Sequence, residues 1–193
     1  MSEWRPDRLA RRLPYLRERG LLQASMRRWF ERHDFVEVET PILQRAPGAE
    51  VHLAGFATEW RLPDGGRRER WLHSSPEFAM KKLLVGGVPK LFQFARVFRN
   101  AEGSALHHPE FTMLEWYRAG AGYETIMQDC AALLRLTGVK ALRFGDRVCD
   151  PEAQPERLTV AQAFERHAGV DLLATAGFPG GRGLAPLELS TIS

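Results

Sequence analysis

Apolar residues near the start of the chain recur with a helical period. Leu22, Met26, Trp29 and Phe30 stand at i, i+4, i+7 and i+8, so residues 21–34 are predicted to form an amphipathic helix. The preceding residues are rich in arginine and show no such period. They are predicted to form an irregular arm with a short helix.

Two further helices are predicted in the second half of the chain. Residues 123–138 have a helical period, and the apolar face would consist of Ile126, Met127, Cys130, Leu133 and Leu134. Another helix is predicted after Thr159, because Gln162 three residues later completes a capping-box pattern.

Alternation of apolar and polar residues predicts the strands. In residues 35–43, Val36 and Val38 alternate with glutamates, as in a half-buried strand, and Pro41 ends the regular pairing. The other segments of extended character cover residues 51–60, 68–74, 90–99 and 110–118. A Pro-Asp-Gly-Gly turn at residues 63–66 joins the first two of these.

A helix is predicted to begin at Ser75-Pro76-Glu77, which supplies a capping hydroxyl, a first-turn proline and a carboxylate near the positive helix end. This helix should end at Gly86-Gly87. Strands joined by connections of different lengths, with helices at both ends, predict an α+β fold with an antiparallel sheet.

Composition narrows the function classes only slightly. The chain has 193 residues, of which 44% are apolar and 26% charged, as in an ordinary globular protein. The net charge of +3 rests on 23 Arg and 4 Lys, and it allows a nucleic-acid partner without indicating one. No continuous apolar run predicts a signal peptide or a membrane span, so we expect a cytoplasmic protein. Cys130 and Cys149 are expected to be buried free thiols.

Strand parity places a carboxylate among apolar side chains in residues 110–118. Phe111, Met113, Glu115 and Tyr117 share one face of this strand. A carboxylate is costly there unless it meets a cation or hydrogen-bond donors. Two interpretations stay open for Glu115: a salt bridge to a core arginine such as Arg96 or Arg118, or contact with a cationic ligand.

The loop between the last two predicted strands offers further candidate chemistry. Arg99 is the last residue of the first of these strands. Its guanidinium group could bind phosphate or carboxylate oxygens through two N–H groups, or it could be a solvated charge at the strand end. His107 and His108 suit phosphate or base contacts better than zinc, because adjacent side chains point apart. Phe111 suits either stacking on a purine or the core.

Three segments in order resemble the class II aminoacyl-tRNA synthetases, specifically the lysyl branch. FRNAEGSALHHPEFTMLEWYR, residues 98–118, resembles motif 2, and FVEVETPIL, residues 35–43, resembles motif 1. SSPEFAMKKLLVGGVPKLFQFARVFRN resembles the segment that leads into motif 2. The resemblance covers about residues 20–172. It implies a class II synthetase-like antiparallel sheet flanked by helices and a homodimer through the motif 1 region.

The resemblance also implies site residues. Arg99 matches the catalytic arginine that holds the ATP α-phosphate. The amino-acid substrate would be contacted by Ser75, Pro76, Glu77, Glu115 and Tyr117. The other nucleotide-contacting positions are Asn100, Ala101, His107, His108 and the adenine-stacking Phe111. ATP and Mg²⁺ are the implied cofactors, and no protein metal ligands are assigned.

Within the lysyl branch, the sequence is similar to stand-alone paralogues that attach β-lysine to a lysine of elongation factor P. Motif 1 includes the helix before the strand and so begins near residue 21. We expect no room before it for an anticodon-binding module. The resemblance therefore implies lysine or β-lysine, activated as an adenylate, and elongation factor P as the acceptor. Nucleic acid and membrane are not expected partners. Aminoacylation of tRNA is the alternative within the same enzyme class.

The sequence departs from the family pattern at three places. Ala101 stands where the family has a glutamate, and His108 stands where an asparagine is usual. No segment matches the Gly-rich motif 3. We therefore expect a partial catalytic domain over residues 1–172 and an irregular tail over 173–193. An inactive paralogue that acts only as a dimerisation or binding module is the alternative.

Overall fold

A computed structural model describes residues 5–175 of the chain. The chain divides into two compact units, the first ending at Pro151 and the second beginning at Glu152. The predicted domain boundary at residue 172 stays a prediction, and most of the predicted tail over 173–193 lies outside the described residues. No helix among residues 5–175 combines the length and apolar character needed to cross a membrane.

Helices and strands alternate along the described chain. The helices are α1 Pro6–Arg32, α2 Glu77–Val85, α3 Tyr123–Arg135, α4 Val160–Ala168 and α5 Leu172–Thr175. The strands are β1 Val36–Glu37, β2 Leu43–Gln44, β3 Phe56–Arg61, β4 Arg67–Leu72, β5 Lys90–Phe98, β6 Glu110–Arg118, β7 Leu142–Phe144 and β8 Arg147–Cys149.

The sheet that contains β5 and β6 has the strand order β1-β5-β6. The two long strands pair antiparallel along their whole length, from Lys90 opposite Arg118 to Phe98 opposite Glu110. The short strand β1 pairs parallel to β5. Both long strands were predicted from the sequence, and their bounds are confirmed to within one residue.

A second sheet has the order β2-β4-β3, and β7 and β8 form a separate two-stranded ribbon. The predicted turn at residues 63–66 joins β3 and β4, where the Leu62 N–H donates to the Gly66 carbonyl at 2.8 Å. The predicted extended segment over 51–60 is shorter in the structure, because regular pairing begins only at Phe56. The helices and largely antiparallel sheets agree with the predicted α+β class.

Aromatic packing between α1 and the β1-β5-β6 sheet forms the main core. Phe30 and Phe92 are fully buried, and their rings stack with centroids 4.3 Å apart. Phe35 and Leu133 complete the buried cluster, and Trp116 of β6 packs against it. The face of β6 that carries Trp116 therefore faces the core, and the face that carries Glu115 and Tyr117 lies on the opposite side of the sheet.

The first helix is longer than predicted. The expected irregular arm is wrong over residues 6–20, because α1 runs continuously from Pro6 to Arg32 with Pro14 inside it. Proline at the first helical position is compatible with helix geometry, and arginine and leucine are strong helix formers. Helix propensity therefore outweighs the missing apolar period and the hydrogen bond lost at Pro14.

Two burial predictions are also wrong. Val36 is 53% exposed, because Phe35 rather than the valine enters the core and β1 has only two paired residues. Cys130 and Cys149 are exposed thiols, not buried ones. On α3 the buried positions are Asp129 and Leu133. The face of α3 that meets the sheet is therefore rotated away from Cys130.

The second unit contains α4 and α5. At the start of α4 the Thr159 hydroxyl accepts the Gln162 N–H at 3.1 Å, and the Gln162 side chain accepts the Thr159 N–H at 2.8 Å. This is the predicted capping box. Gly169 ends the helix in a left-handed conformation, with φ of 65°.

Candidate active site

Glu115, in the middle of β6, is held by hydroxyl groups. Its carboxylate accepts hydrogen bonds from the Ser75 Oγ at 2.6 Å and from the Tyr117 phenol at 2.7 Å. Glu115 is half-buried and makes no ion pair within residues 5–175. The carboxylate is therefore oriented by two donors while its negative charge stays uncompensated.

Neither arginine considered as a partner of Glu115 pairs with it. Arg118 lies on the opposite face of β6 and forms a two-pronged pair with Asp129, at 2.7 and 2.9 Å. The carboxylate nearest to Arg96 is that of Glu110, at 3.9 Å on the exposed surface. The salt-bridge interpretation is therefore wrong for both arginines, and strand parity explains why Arg118 cannot reach Glu115.

The Ser75-Pro76-Glu77 turn brings a second carboxylate to Glu115. The Ser75 hydroxyl accepts the Glu77 N–H at 3.1 Å while donating to Glu115, so one side chain links the start of α2 to β6. The predicted serine cap and first-turn proline are wrong, because the N-cap is Pro76, which makes no side-chain cap hydrogen bond. Pro76 is fully buried and fixes the entry into the helix. Glu77 forms an ion pair with Lys81 one helical turn later.

An acidic cavity of about 240 Å³ lies where α2, β6 and α3 meet. Its lining residues are Glu77, Leu114, Glu115, Trp116, Tyr117 and Ile126. Burial raises the pKa of the Tyr117 phenol well above its usual range, and the hydrogen bond to Glu115 and the charges of Glu115 and Glu77 raise it further. The phenol therefore remains a proton donor at neutral pH, in a negative environment.

Arg99 lies at the end of β5 beside Phe111. Its backbone N–H donates to the Pro109 carbonyl at 2.9 Å, which extends the β5–β6 pairing by one residue. The guanidinium carbon lies 5.3 Å from the centre of the Phe111 ring. The Nε of Arg99 is buried and has no hydrogen-bond partner within the described residues. A buried donor of this kind is costly unless a ligand oxygen meets it.

Arg99 does not line the acidic cavity. It continues the face of β5 that carries Val97, and Val97 pairs with Phe111, which shares a face with Glu115. Four residues of strand separate Phe111 from Glu115, or about 13 Å. The Arg99–Phe111 pair therefore shares a sheet face with Glu115 and Tyr117, whereas the cavity is also lined by Leu114, Trp116 and Ile126 from the other side of β6.

Asn100 and Ala101 follow Arg99 in a turn. The Asn100 N–H donates to the Ala54 carbonyl at 2.8 Å, and its side-chain amide donates to the Gly55 carbonyl at 3.3 Å. Ala101 has a left-handed backbone with φ of 63°, which is costly for a residue other than glycine. The next residue, Glu102, is half-buried.

The two histidines lie exposed in the same loop. His107 Nδ1 is 3.0 Å from the Ser104 hydroxyl, and His108 Nδ1 is 2.8 Å from the Glu110 carbonyl oxygen. Both contacts lie in the second half of the loop. Over residues 5–175, no three His, Cys, Asp or Glu side chains cluster so as to hold a metal ion. The predicted nucleotide contacts of both histidines stay predictions.

Sequence reasoning missed several buried polar residues, among them Asp129 and His73. Asp129 is 4% exposed and also accepts the Trp116 indole N–H at 3.2 Å. His73 is 1% exposed, and its Nε2 lies 2.6 Å from the Arg96 carbonyl oxygen. Strand parity places Arg118 on the core face of β6, where a buried guanidinium needs a carboxylate partner. That requirement could have predicted that Asp129 is buried. Nothing in the sequence pattern distinguished His73 from other strand-end residues.

One antiparallel strand pair thus carries a carboxylate without an ion-pair partner at Glu115 and a buried, unpartnered donor at Arg99, both among the described residues. Comparison with known proteins identifies the class. The family of class II tRNA synthetases (D, K and N) matches residues 9–176, and the chain belongs to this family.

Individual relatives narrow the similarity. The chain is 38% identical over 162 residues to the elongation factor P–(R)-β-lysine ligase of Pseudoalteromonas translucida, covering 83% of this chain and 46% of that protein. The ligase of the same name from Vibrio vulnificus is 38% identical over 171 residues, or 88% of this chain and 48% of that protein. The ligase of the same name from Vibrio cholerae is 37% identical over 171 residues, which are 88% of this chain and 48% of that protein. The chain thus spans about half the length of these relatives.

Proposed function

We propose that this chain takes part in ATP-dependent activation of lysine or β-lysine and its transfer to a lysine side chain of elongation factor P. The observation that carries the proposal is the carboxylate of Glu115, held by Ser75 and Tyr117 without a cation among the described residues. Such a site suits a ligand that supplies an ammonium group.

The acidic cavity supports the proposal that the substrate is an amino acid with a side-chain ammonium group. Glu77 and Glu115 would offset its charge, and Tyr117 and Ser75 hold Glu115 in one orientation. The cavity of about 240 Å³ matches a small amino acid rather than a peptide. Pro76 would act through the backbone by fixing the turn that presents Glu77.

The Arg99–Phe111 pair supports the proposal that a nucleotide binds at this end of the strand pair. The unmet Nε donor of Arg99 would meet an α-phosphate oxygen, and the Phe111 ring would stack on the adenine. His107 and His108 would approach the outer phosphates from the loop. Ala101 has no side chain that could contact the nucleotide, and the half-buried Glu102 is the nearest carboxylate along the chain.

The proposed reaction has two balanced steps. The amino-acid carboxylate attacks the α-phosphorus of ATP, and pyrophosphate leaves. The amine of the acceptor lysine then attacks the acyl carbon of the adenylate, AMP leaves, and the amine gives up a proton. Arg99 would neutralise charge that develops on the α-phosphate oxygens. Binding both substrates along one sheet face would supply alignment.

Mg²⁺ enters the proposal only through ATP. Mg²⁺ commonly binds through substrate phosphates and few protein ligands, so phosphate oxygens of ATP would hold it. The ion would supply further neutralisation of the triphosphate.

The names of the relatives support the proposal that elongation factor P is the acceptor protein. Three relatives at 37–38% identity are described as elongation factor P–(R)-β-lysine ligases. Because the chain spans about half of each, the amino acid, the acceptor and turnover by this chain are parts of the proposal. A homodimer through the motif 1 region and a cytoplasmic location belong to it as well.

Amino-acid-dependent exchange of pyrophosphate into ATP tests the proposed function. We expect exchange with lysine or β-lysine that Arg99→Ala abolishes, and a mass increase of one lysyl group on elongation factor P. No exchange above the Arg99→Ala background would leave a dimerisation or binding module as the function of this chain. Charging of tRNA in preference to elongation factor P would favour the tRNA alternative.

A further inference from the structure

One face of the β2-β4-β3 sheet carries an exposed tryptophan between two arginines. Trp60 on β3 pairs with Arg68 on β4, and Thr58 pairs with Arg70, so these side chains share a face. The guanidinium carbons of Arg68 and Arg70 lie 5.9 and 5.0 Å from the Trp60 ring centre. Trp60 nevertheless remains 42% exposed.

The positive charges on this face are uncompensated. On the opposite face, Glu59 pairs with Arg61 at 2.9 Å and with Arg67 at 3.3 Å. Arg68 and Arg70 make no ion pair within residues 5–175, and Arg70 donates only to the backbone carbonyl of Glu69. Stacking on the indole holds both guanidinium groups while leaving N–H edges free for planar oxyanions.

Apolar side chains continue the same face. Leu43, Leu72 and Phe56 form one row across the three strands, because Leu72 pairs with both of the others. Leu43 is 44% exposed. We call the whole surface the Trp60 face, defined by Leu43, Phe56, Thr58, Trp60, Arg68, Arg70 and Leu72. Its mixture of tryptophan, arginine and aliphatic side chains is that of a protein–protein contact.

We propose that the Trp60 face docks an acidic surface of a protein partner. Under the proposed function, on which this assignment of the partner rests, that protein is the acceptor, elongation factor P. Charge complementarity carries the proposal: two stacked guanidinium forks would receive carboxylates from the partner, beside a tryptophan that loses its exposed area on contact.

The charge of the surface favours a protein over a nucleic acid. Nucleic-acid affinity grows with the number of phosphates that lysine and arginine side chains neutralise. The Trp60 face offers two free guanidinium groups, and the turn and opposite face of the hairpin carry Asp64, Glu59 and Glu69. Two cations suffice for carboxylates at a mixed interface but provide little affinity for a polyanion.

The test measures binding rather than turnover. The Trp60 indole resonance is assigned in NMR spectra of the full chain with Trp60→Phe, and unmodified elongation factor P, a short polyglutamate peptide and a uridine oligonucleotide are titrated separately. We expect elongation factor P to shift this resonance and Arg68→Gln/Arg70→Gln to weaken binding about tenfold. The matched control, Arg61→Gln/Arg67→Gln on the opposite face, should change affinity less than about twofold.

Each result bears on one part of the proposal. Equal weakening by the two double variants, or an unshifted Trp60 resonance with elongation factor P bound, overturns the docking surface. Tighter binding of the oligonucleotide than of either acidic probe overturns it in favour of nucleic acid. If elongation factor P does not bind but polyglutamate shifts the resonance, the acidic-docking surface stands and the proposed acceptor falls. If neither binds, the surface proposal fails, whatever the pyrophosphate exchange shows.

Discussion

At the residue scale, the Glu115 carboxylate accepts hydrogen bonds from Ser75 and Tyr117 and has no ion-pair partner among residues 5–175. Two hydroxyl donors orient it, but neither carries charge. Partial burial of a carboxylate without an ion-pair partner is unfavourable. A ligand ammonium would remove that cost, so stability and ligand binding should be coupled at this residue.

The phenol of Tyr117 should report on Glu115 directly. Its raised pKa means that the folded chain holds this proton more tightly than the unfolded chain, so stability is full below pH 10 and falls as pH rises above it. Spectrophotometric titration of the chain minus that of Tyr117→Phe isolates the phenol. We expect ionisation well above pH 10, and a lower pKa in Glu115→Gln because the negative charge beside the phenol is removed and the remaining amide oxygen is a weaker acceptor. An unchanged pKa in Glu115→Gln would contradict the hydrogen-bonded pair.

The guanidinium of Arg99 should act on the nucleotide alone. Arg99→Gln keeps a polar side chain but removes the charge, and a charge-assisted hydrogen bond contributes about 1.5–3 kcal/mol. Titration calorimetry with ATP should therefore show about ten- to hundredfold weaker binding. Lysine affinity should stay the same, because the acidic cavity lies about 13 Å along the strand. The control is Arg96→Gln on the opposite face, and equal losses in both variants would count against the role of Arg99.

At the scale of elements, β6 is fixed to α3 by a buried ion pair. The side chains of Arg118 and Asp129 are 12% and 5% exposed, and the indole of Trp116 donates to the same carboxylate. This contact places Ile126 of α3 at the acidic cavity. The pair therefore connects core packing to the shape of the acidic cavity.

Removal of one partner of this pair should be costly. Asp129→Ala leaves a buried guanidinium without a carboxylate, and we expect a loss of about 3–5 kcal/mol in the free energy of unfolding, measured with urea. The exposed neighbour Gln128→Ala is the control and should change stability by less than about 0.5 kcal/mol. Combining Arg118→Met with Asp129→Leu should recover part of the loss, because no unpaired charge remains. A small effect of Asp129→Ala would show that the pair is solvated.

The local sequence pattern predicted some elements correctly and others not. The alternation in β5 and β6 and the capping box of α4 were sufficient to predict these elements, because each is decided by neighbours in sequence. Cys130 was placed inside on its apolar character, whereas the pairing of Asp129 with Arg118 decides which face of α3 is buried. Parity predicted that Glu115 and Tyr117 share a face. The contact of Ser75 with Glu115, forty residues apart, depends on the packing of α2 against β6, which no local signal contains.

At the scale of the whole molecule, the chain covers about half the length of its relatives. In the β1-β5-β6 sheet, β1 and β6 are the outer strands. On the edge strand β1, Val36 is 53% exposed and lies in the segment that resembles motif 1. An exposed apolar residue on an edge strand is a suitable contact for a second copy of the chain.

Sedimentation should show a concentration-dependent dimer through this edge. We expect Val36→Glu to shift the equilibrium towards monomer, because a charge would be buried in the contact. Val51→Glu changes an even more exposed valine, 89% accessible in the segment between β2 and β3, and should leave the dimer intact. A chain that is monomeric at all concentrations, or equally affected by both variants, would contradict dimerisation through motif 1.

The central claim is that the acidic cavity binds an amino acid by its side-chain ammonium. The most direct measurement is titration calorimetry of the purified chain with lysine and with norleucine, which has the same carbon skeleton but no side-chain ammonium. The account predicts binding of lysine, at least about tenfold weaker binding of norleucine, and loss of this preference in Glu115→Gln. Equal affinity for the two amino acids, or a preference that survives Glu115→Gln, would contradict it.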